Sequence, residues 1–336
     1  MRVSRLLLIA SGCVIGLLGI AWGGAALWID GPATRWLAGL LSVGFVLAGV
    51  GTLIAVRPPS RAAFVVAALV GLVALWWNTI PPRNDRDWSP DVAQLPTATI
   101  DGDRLTIRNV RNFDYRTETD FTERWETRTY DLNQLRGGDM FFSFWGPTLI
   151  AHTIASWDFG DGQHLAISIE TRKERGESYS ALRGFFRQYE LYYVVADERD
   201  VIGVRTNQRG EQVFLYRIRL PPGRSRAILM DYLAEANRLA AEPRWYNALT
   251  HNCTTTIRDH ARNVGPVMPW SWQILANGYL DQLWYERGVF DQTLPFAELK
   301  ARSDITERAK AAIADPAFSA RIRDGLPGES EREAQP

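Results

Sequence analysis

The chain has 336 residues with 38 basic and 38 acidic side chains, so its formal net charge is zero. Near-average glycine and proline and a total of two cysteines exclude a collagen-like, disordered or disulfide-stapled protein. The average hides two parts: residues 1–80 hold six charged side chains and carry +4, whereas the remaining 256 residues hold 70 and carry −4. Because the larger part is mildly acidic and has no basic stripe, we expect no nucleic-acid partner.

The N-terminal part contains three uncharged apolar runs, residues 6–29, 36–56 and 62–80. At about 1.5 Å per residue, each is long enough to cross the ~30 Å hydrocarbon core of a bilayer. We therefore predict that residues 1–81 form three transmembrane helices. A lipoprotein signal peptide ending at Cys13 is disfavoured, because the apolar run continues for 16 residues beyond it.

Arginines set the expected orientation of these helices. Two precede the first run, two lie between the second and third, and only one lies between the first and second. The positive-inside rule then predicts a multi-pass protein of the bacterial inner membrane, with its N-terminus in the cytoplasm and residues beyond 81 in the periplasm.

The exported part is predicted to be an α+β domain. Residues 82–100 form the expected linker, residues 101–295 the domain, and residues 296–336 a C-terminal helical extension and tail that frays from residue 326. Residues 224–241 and 303–324 have helical patterns. Short segments rich in β-branched and aromatic residues predict strands at 104–110, 127–132, 140–144, 148–159, 164–171, 191–195, 201–206 and 212–220.

Cys253 is the single cysteine of the exported part, so it is either a small buried hydrophobe or a reactive thiol. Ile257, Ala261 and Val264 follow it at helical spacing and predict a helix that begins at or just after the thiol. The dipole and unpaired amides of a helix N-terminus stabilise a thiolate. A base is still required to accept the proton.

Four histidines are candidates for that base. His260 lies two helical turns, about 10 Å, beyond the thiol, and His251 precedes it by only two residues, where the two side chains rarely meet. His152 and His164 remain, and both lie in a predicted hairpin closed at residues 160–162.

The hairpin register decides between these two histidines. A three-residue loop pairs Phe159 with Gln163 and therefore His152 with Glu170 on one polar face. This predicts a base with a carboxylate that fixes its tautomer, although a buried, structurally satisfied pair remains the alternative. His164 is expected to face Asp158 as a solvated side chain near the turn.

Several motifs resemble the Lnb N-terminal periplasmic domain family over about residues 84–290. They are the stretches 151–153 and 168–170 around His152 and Glu170, the stretches 186–191 and 197–200, and the pairs Tyr246-Asn247 and Asn252-Cys253. The resemblance implies a circularly permuted papain-like fold, an antiparallel sheet plus a catalytic helix, related to lecithin:retinol acyltransferase. The family's acyltransferase has membrane segments after this domain, whereas here three precede it.

The same resemblance implies lipoprotein N-acylation. An acyl chain from a phospholipid would pass to Cys253 as a thioester and then to the amine of a lipoprotein's N-terminal cysteine. His152 would be the base, with Glu170 as its orienting carboxylate on the register argument.

Substrate-binding roles are predicted for Tyr246 and Asn252, and for Arg172 as a ligand of lipid phosphate. An apolar stretch would line an acyl groove, rest on headgroups or pack in the core: Trp270, Trp272, Leu275, Tyr279, Leu280, Leu283, Trp284 and Tyr285. We expect no metal and no cofactor, because the histidines form no ligand motif and no glycine-rich phosphate loop is present. Two other functions remain open: a cysteine amidase or endopeptidase acting on cell-wall peptide or lipid amide, and a non-catalytic membrane protein.

Overall fold

The computed structural model describes residues 2–220, 223–265 and 269–327, so most of the predicted frayed tail lies outside the described residues. The chain forms two compact units. One contains the N-terminal helices up to Arg83 together with Tyr179–Tyr189, and the other contains Asn84–Ser178 and the chain from Glu190 onward.

The first unit is built on three long apolar helices, α1 (Arg2–Ile29), α2 (Arg35–Ala55) and α3 (Pro59–Asn78). All three are long and apolar enough to cross a membrane, as the sequence predicts.

Asp30, the only acidic residue among the first 80, follows α1 and accepts several hydrogen bonds within the first unit. Trp77 Nε1 on α3 donates to it at 2.6 Å, and Gln188 Nε2 and the Arg187 backbone N–H donate from the segment Tyr179–Tyr189 at 2.7 and 3.2 Å. These bonds satisfy a carboxylate at the end of an apolar helix.

The second unit contains an eight-stranded sheet. Its strands are β1 (Thr97–Asp101), β2 (Arg104–Arg111), β5 (Trp125–Asp131), β6 (Gly137–Phe144), β7 (His152–Asp158), β8 (His164–Arg172), β9 (Glu190–Ala196) and β10 (Gln212–Arg217), and a small separate ribbon pairs β3 (Asp114–Tyr115) with β4 (Phe121–Thr122). In the sheet the strands lie side by side in the order β1, β2, β9, β8, β7, β6, β10, and β5 pairs with β2. The predicted α+β class is confirmed.

The sheet is antiparallel, as expected, at every described pair of neighbouring strands except one. β2 runs parallel to β9, with Arg111 opposite Ala196, because the chain between them makes the long excursion through β5–β8 and returns in the same direction. The remaining neighbours in the sheet are antiparallel.

Helices cover the sheet, and one predicted strand is among them. Residues 201–206 form the end of α4 (Glu198–Gly203) and a π-helical turn, Val204–Gln208. Asp197 caps α4 by accepting the Arg199 N–H at 2.9 Å, and Val201, Ile202 and Val204 are all buried. Complete burial, rather than strand structure, therefore explains this β-branched run.

The other helices are α5 (Arg224–Ala241), α6 (Cys253–Asn263), α7 (Leu280–Glu286), α8 (Phe296–Ser303), α9 (Thr306–Ala312) and α10 (Phe318–Arg321). The last two pack into the core of the sheet, where Ile305, Ala309, Phe318 and Ile322 lie against residues such as Phe141 and Val194. Residues 296–327 thus share the sheet's core, and the predicted linker contributes Val92 to that core and most of β1 to the sheet.

Candidate active site

Helix α6 begins at Cys253, where the sequence places its start. The side-chain oxygen of Asn252, Oδ1, accepts the Thr255 backbone N–H at 3.0 Å, and the Thr255 hydroxyl accepts the Asn252 backbone N–H at 3.0 Å. This reciprocal capping box fixes the first turn. It holds the half-buried thiol at the positive end of the helix dipole.

His152 opens β7, and its ring faces the polar side of the hairpin. β7 and β8 pair from Asp158 with His164 to Ile154 with Ser168, and the Phe159 N–H donates to the Gln163 carbonyl at 2.9 Å. The predicted register is therefore confirmed, and its continuation places His152 opposite Glu170.

The Nε2 atom of His152 lies 2.7 Å from Ser168 Oγ and 3.1 Å from Glu170 Oε1. Ser168 Oγ donates to Glu170 Oε1 at 2.7 Å, so it accepts from His152 Nε2–H. In the neutral ring the proton is thus held on Nε2, which leaves Nδ1 as the nitrogen that can exchange a proton with Cys253, the thiol whose pKa His152 lowers.

Arg205 holds the carboxylate of Glu170 from the π-helical turn. Its Nη2 donates to Glu170 Oε1 at 2.7 Å, and its Nε lies 3.7 Å from Glu211 Oε2. Glu211 accepts a hydrogen bond from Ser143, which lies directly opposite His152 in the β6–β7 pairing. β8 therefore contacts the histidine directly, and β6 acts indirectly, through Glu211 and Arg205, on the position of Glu170.

Burial and pairing shift the pKa values of these groups in opposite directions. Burial alone would lower the pKa of His152, but the charge of Glu170 and the hydrogen bond with Cys253 raise it to about 9. Burial would raise the pKa of Cys253, but His152 and the Thr153 backbone N–H lower it to about 7. Despite burial, His152 and Arg205 keep the pKa of Glu170 well below its usual value.

Asn277 joins the two halves of the site. Its Nδ2 donates to the Ala151 carbonyl at 2.7 Å and to Thr254 Oγ1 at 2.8 Å, and its Oδ1 accepts the Ala151 N–H at 2.9 Å. Ala151 immediately precedes His152 and Thr254 immediately follows Cys253. One buried amide thus fixes the spacing between the base and the thiol.

Exposed apolar side chains extend from the three loops that meet at the site. The loop before His152 carries Trp145 and Leu149, the loop before Cys253 carries Leu249, and the segment before Asn277 carries Trp270, Trp272 and Leu275, each at least half exposed. We refer to these six residues as the apolar rim. Leu280, Leu283 and Trp284 of the same predicted stretch are instead buried.

The predicted substrate-binding residues are buried or make hydrogen bonds within the protein. Asn252 is used in the capping box, and its Nδ2 donates to the Ala248 carbonyl at 2.7 Å. Tyr246 is buried. Arg172 is also buried: its guanidinium donates to the carbonyls of Val92 and Ala93 and lies over the Trp88 ring, so its donors are used within the protein rather than presented to a lipid phosphate.

The remaining histidines lie apart from the thiol chemistry. His251 is exposed, and its ring lies 2.9 Å from Thr250 Oγ1. His260 is buried between Asp231 and the Tyr193 hydroxyl, at 2.6 Å from each. The His164 side chain, predicted to be solvated, is only 7% exposed and lies 3.8 Å from Asp158, because the loop covers it.

Sequence reasoning missed Ser168, Arg205, Asn277 and Thr153. Ser168 lies on the predicted polar face two residues before Glu170, so the strand alternation contained its signal. Arg205 and Asn277 have no such local signal, because they reach their partners across 35 and 126 residues of chain.

Residues 121–278 match the family model described as Lnb N-terminal periplasmic domain. The matched region contains His152, Glu170 and Cys253 and ends one residue after Asn277, and it confirms the resemblance predicted from the motifs. No curated protein and no solved structure gives a significant match. Together with the three helices that are long and apolar enough to span a membrane, the match supports a membrane protein that carries a periplasmic domain.

Proposed function

We propose that this protein is a thiol acyltransferase of the bacterial inner membrane, which moves an acyl chain from a phospholipid through Cys253 to the amine at the N-terminus of a lipoprotein. The observation that carries the proposal is the Cys253–His152 pair, with its histidine aligned by Ser168 and Glu170. The arginine distribution supports an N-terminus in the cytoplasm and a domain in the periplasm.

In the first step the Cys253 thiolate attacks the carbonyl carbon of a phospholipid ester. The N–H groups of Cys253 and Thr254 in the first turn of α6 have no intrahelical acceptor and stabilise the oxyanion, whereas the N–H of Thr255 is used in the capping box. The C–O bond then breaks, and His152 gives its Nδ1 proton to the departing lysophospholipid alkoxide. The product is an acyl thioester and a neutral imidazole.

In the second step the amine of the acceptor attacks the thioester carbonyl. Neutral His152 takes a proton from the nitrogen as the amide forms, and the thiolate leaves as the C–S bond breaks. This restores the thiolate–imidazolium pair, so one histidine acts first as acid and then as base.

The apolar rim favours a lipid substrate over a cell-wall peptide. Trp and Leu side chains that are at least half exposed cannot all be explained as core packing, and Trp prefers the interface between headgroups and water. Donor and acceptor are both confined to the bilayer surface, and anchoring the enzyme there raises the effective concentration of each.

The direct test is the mass of the purified full chain after incubation with a phospholipid. We expect an added mass of one acyl chain on the Cys253 peptide, which neutral hydroxylamine removes. Cys253→Ala should not gain this mass, whereas the matched control Cys13→Ala should gain it. Addition of a diacylated peptide with a free N-terminal amine should then move the acyl chain to that amine.

The alternatives give different results in the same assay. Release of free fatty acid or of cleaved peptide, with the amine left unmodified, would identify the amidase or endopeptidase instead. Full activity of a folded Cys253→Ala protein in cells would leave only the non-catalytic function.

A further inference from the structure

A cavity of about 340 Å³ lies in the second unit between the sheet, α5, α6 and α7. Its volume is within the range of about 300–1,000 Å³ that small-molecule sites occupy. Protein interiors are close-packed and rarely leave such a space unfilled. The wall is largely apolar and includes Ile228, Ile257, Ala261, Ile274, Leu283 and Trp284.

The cavity lies beside α6, the helix that carries the thiol. Thr254, Ile257 and Ala261 line it from one face of the helix. Cys253 precedes Ile257 by four residues, which turn the helix by about 400°, or one full turn and about 40°. The Cys253 side chain therefore projects about 40° from that of Ile257, at the edge of the lining face. Tyr232 also lines the cavity, and in addition to burial the nearby Cys253 raises the pKa of its phenol.

Positive charge surrounds this apolar space. Arg219, Arg224, Arg258 and Arg287 line it, and Arg219 and Arg287 are exposed, which marks the mouth. Arg219 lies 3.6 Å from Asp291. Among the described lining residues the one carboxylate is that of Asp139, and Arg323 binds it. The first turn of α5 adds the positive end of a helix dipole beside Arg224.

We infer that this cavity binds one acyl chain of a phospholipid and that the arginines at its mouth hold the headgroup phosphate. Guanidinium groups match phosphate geometry, and the apolar wall matches a hydrocarbon chain. The identity of the ligand rests on the proposed function. The site itself is separate from the Cys253–His152 pair, so the two can be tested independently.

The test uses the full-length Cys253→Ala protein, which cannot form a thioester, with a phospholipid that carries a diazirine on its acyl chain. After irradiation we expect label on the peptides of α6 and α7. Ala261→Phe, which fills the cavity, should reduce this label on the order of tenfold. Ala234→Phe, at an exposed position of α5, is the matched control and should leave it unchanged.

A second filling variant, Ile228→Phe on the opposite wall, guards against misfolding caused by one substitution, and both variants should keep the parent's melting temperature. Label confined to the three N-terminal helices, or label on α6 and α7 that well-folded filling variants leave unchanged, would overturn the inference. If α6 and α7 are labelled specifically but the wild type transfers no acyl chain, the inference that the cavity binds lipid would stand and the proposed acyltransferase activity would be rejected.

The headgroup is tested by competition for the same label. An unlabelled phospholipid should compete better than a diacylglycerol or a free fatty acid, and Arg219→Gln with Arg287→Gln, the two substitutions at the mouth, should remove that advantage. Equal competition by the phosphate-free lipids would show that the arginines do not select phosphate and would overturn that part of the inference.

Discussion

The acidity of Cys253 depends on His152, and this dependence can be measured on one residue. The rate of alkylation by iodoacetamide follows the thiolate fraction, so its midpoint in the wild type should lie at a pH of about 7. In His152→Asn the imidazolium is lost, and the midpoint should move up towards the ordinary thiol value of about 8.5. His164→Asn, at the far end of the hairpin, is the control and should not move it.

Glu170 acts on the thiol through the histidine. Its charge opposes burial and raises the pKa of His152 to about 9, so the rate of thioester formation should fall above that pH as the imidazolium loses its proton. In Glu170→Gln this alkaline limb should shift to lower pH, and the rate should drop by about 10²–10⁴-fold. Glu174→Gln, at a surface pair with Arg86, should behave like the wild type.

The residue-level prediction succeeded where the information was local. The loop at residues 160–162 fixes the register of β7 and β8, and the register brings His152 to Glu170. The same alternation could not show that Arg172 binds the Val92 carbonyl, because that contact depends on how residues 84–93 fold back. The sequence therefore contained no sign that the guanidinium of Arg172 is used in binding backbone carbonyls.

Between elements, Asn277 determines how β7 meets α6. Asn277→Ala removes the bonds to Ala151 and Thr254, and a displacement of about 1 Å can cost on the order of 10²-fold in rate. We expect slower thioester formation together with an upward shift in the alkylation midpoint of Cys253, because the contact with His152 loosens. A purely structural role would lower the melting temperature without moving that midpoint.

Asn263→Ala is the matched control for this element. Asn263 is an exposed residue at the end of α6 whose amide binds Asp231 at 3.0 Å, so its removal should change neither the rate nor the midpoint. An unchanged midpoint in a folded Asn277→Ala protein would show that the spacing does not depend on this amide.

Helices with strong periodicity could be predicted closely, and α5 has the predicted bounds of 224–241. The run at residues 201–206 could not be, since β-branched residues favour a strand in isolation whereas tertiary burial and the Asp197 cap select a helix here. That misassigned segment contains Arg205. The site residue was missed because its element was missed.

On the scale of the whole second unit, the C-terminal residues complete the fold that carries the site. Arg323 Nη2 lies 2.8 Å from Asp139 on β6 and 2.6 Å from Glu198 on α4, and all three side chains are buried. Glu198 in turn accepts from Ser156 on β7 at 2.6 Å. Hydrophobic periodicity predicted one helical segment over residues 303–324, where the structure has the two short helices α9 and α10. No sequence pattern shows that Arg323 neutralises two carboxylates 125 or more positions earlier.

Arg323→Met should therefore lower the free energy of unfolding of the second unit by about 3–5 kcal/mol at neutral pH, because two buried carboxylates lose their partner. Despite burial, Arg323 lowers the pKa of Glu198 to about 2, so the stability from this pair is present above the unfolded pKa and is lost as the pH falls towards 2. In the variant the pKa of Glu198 rises, and the difference from the wild type should shrink between pH 7 and pH 3. Denaturant unfolding at several pH values measures this, with the exposed Arg321→Met as control, and a difference that grows with acidity would contradict it.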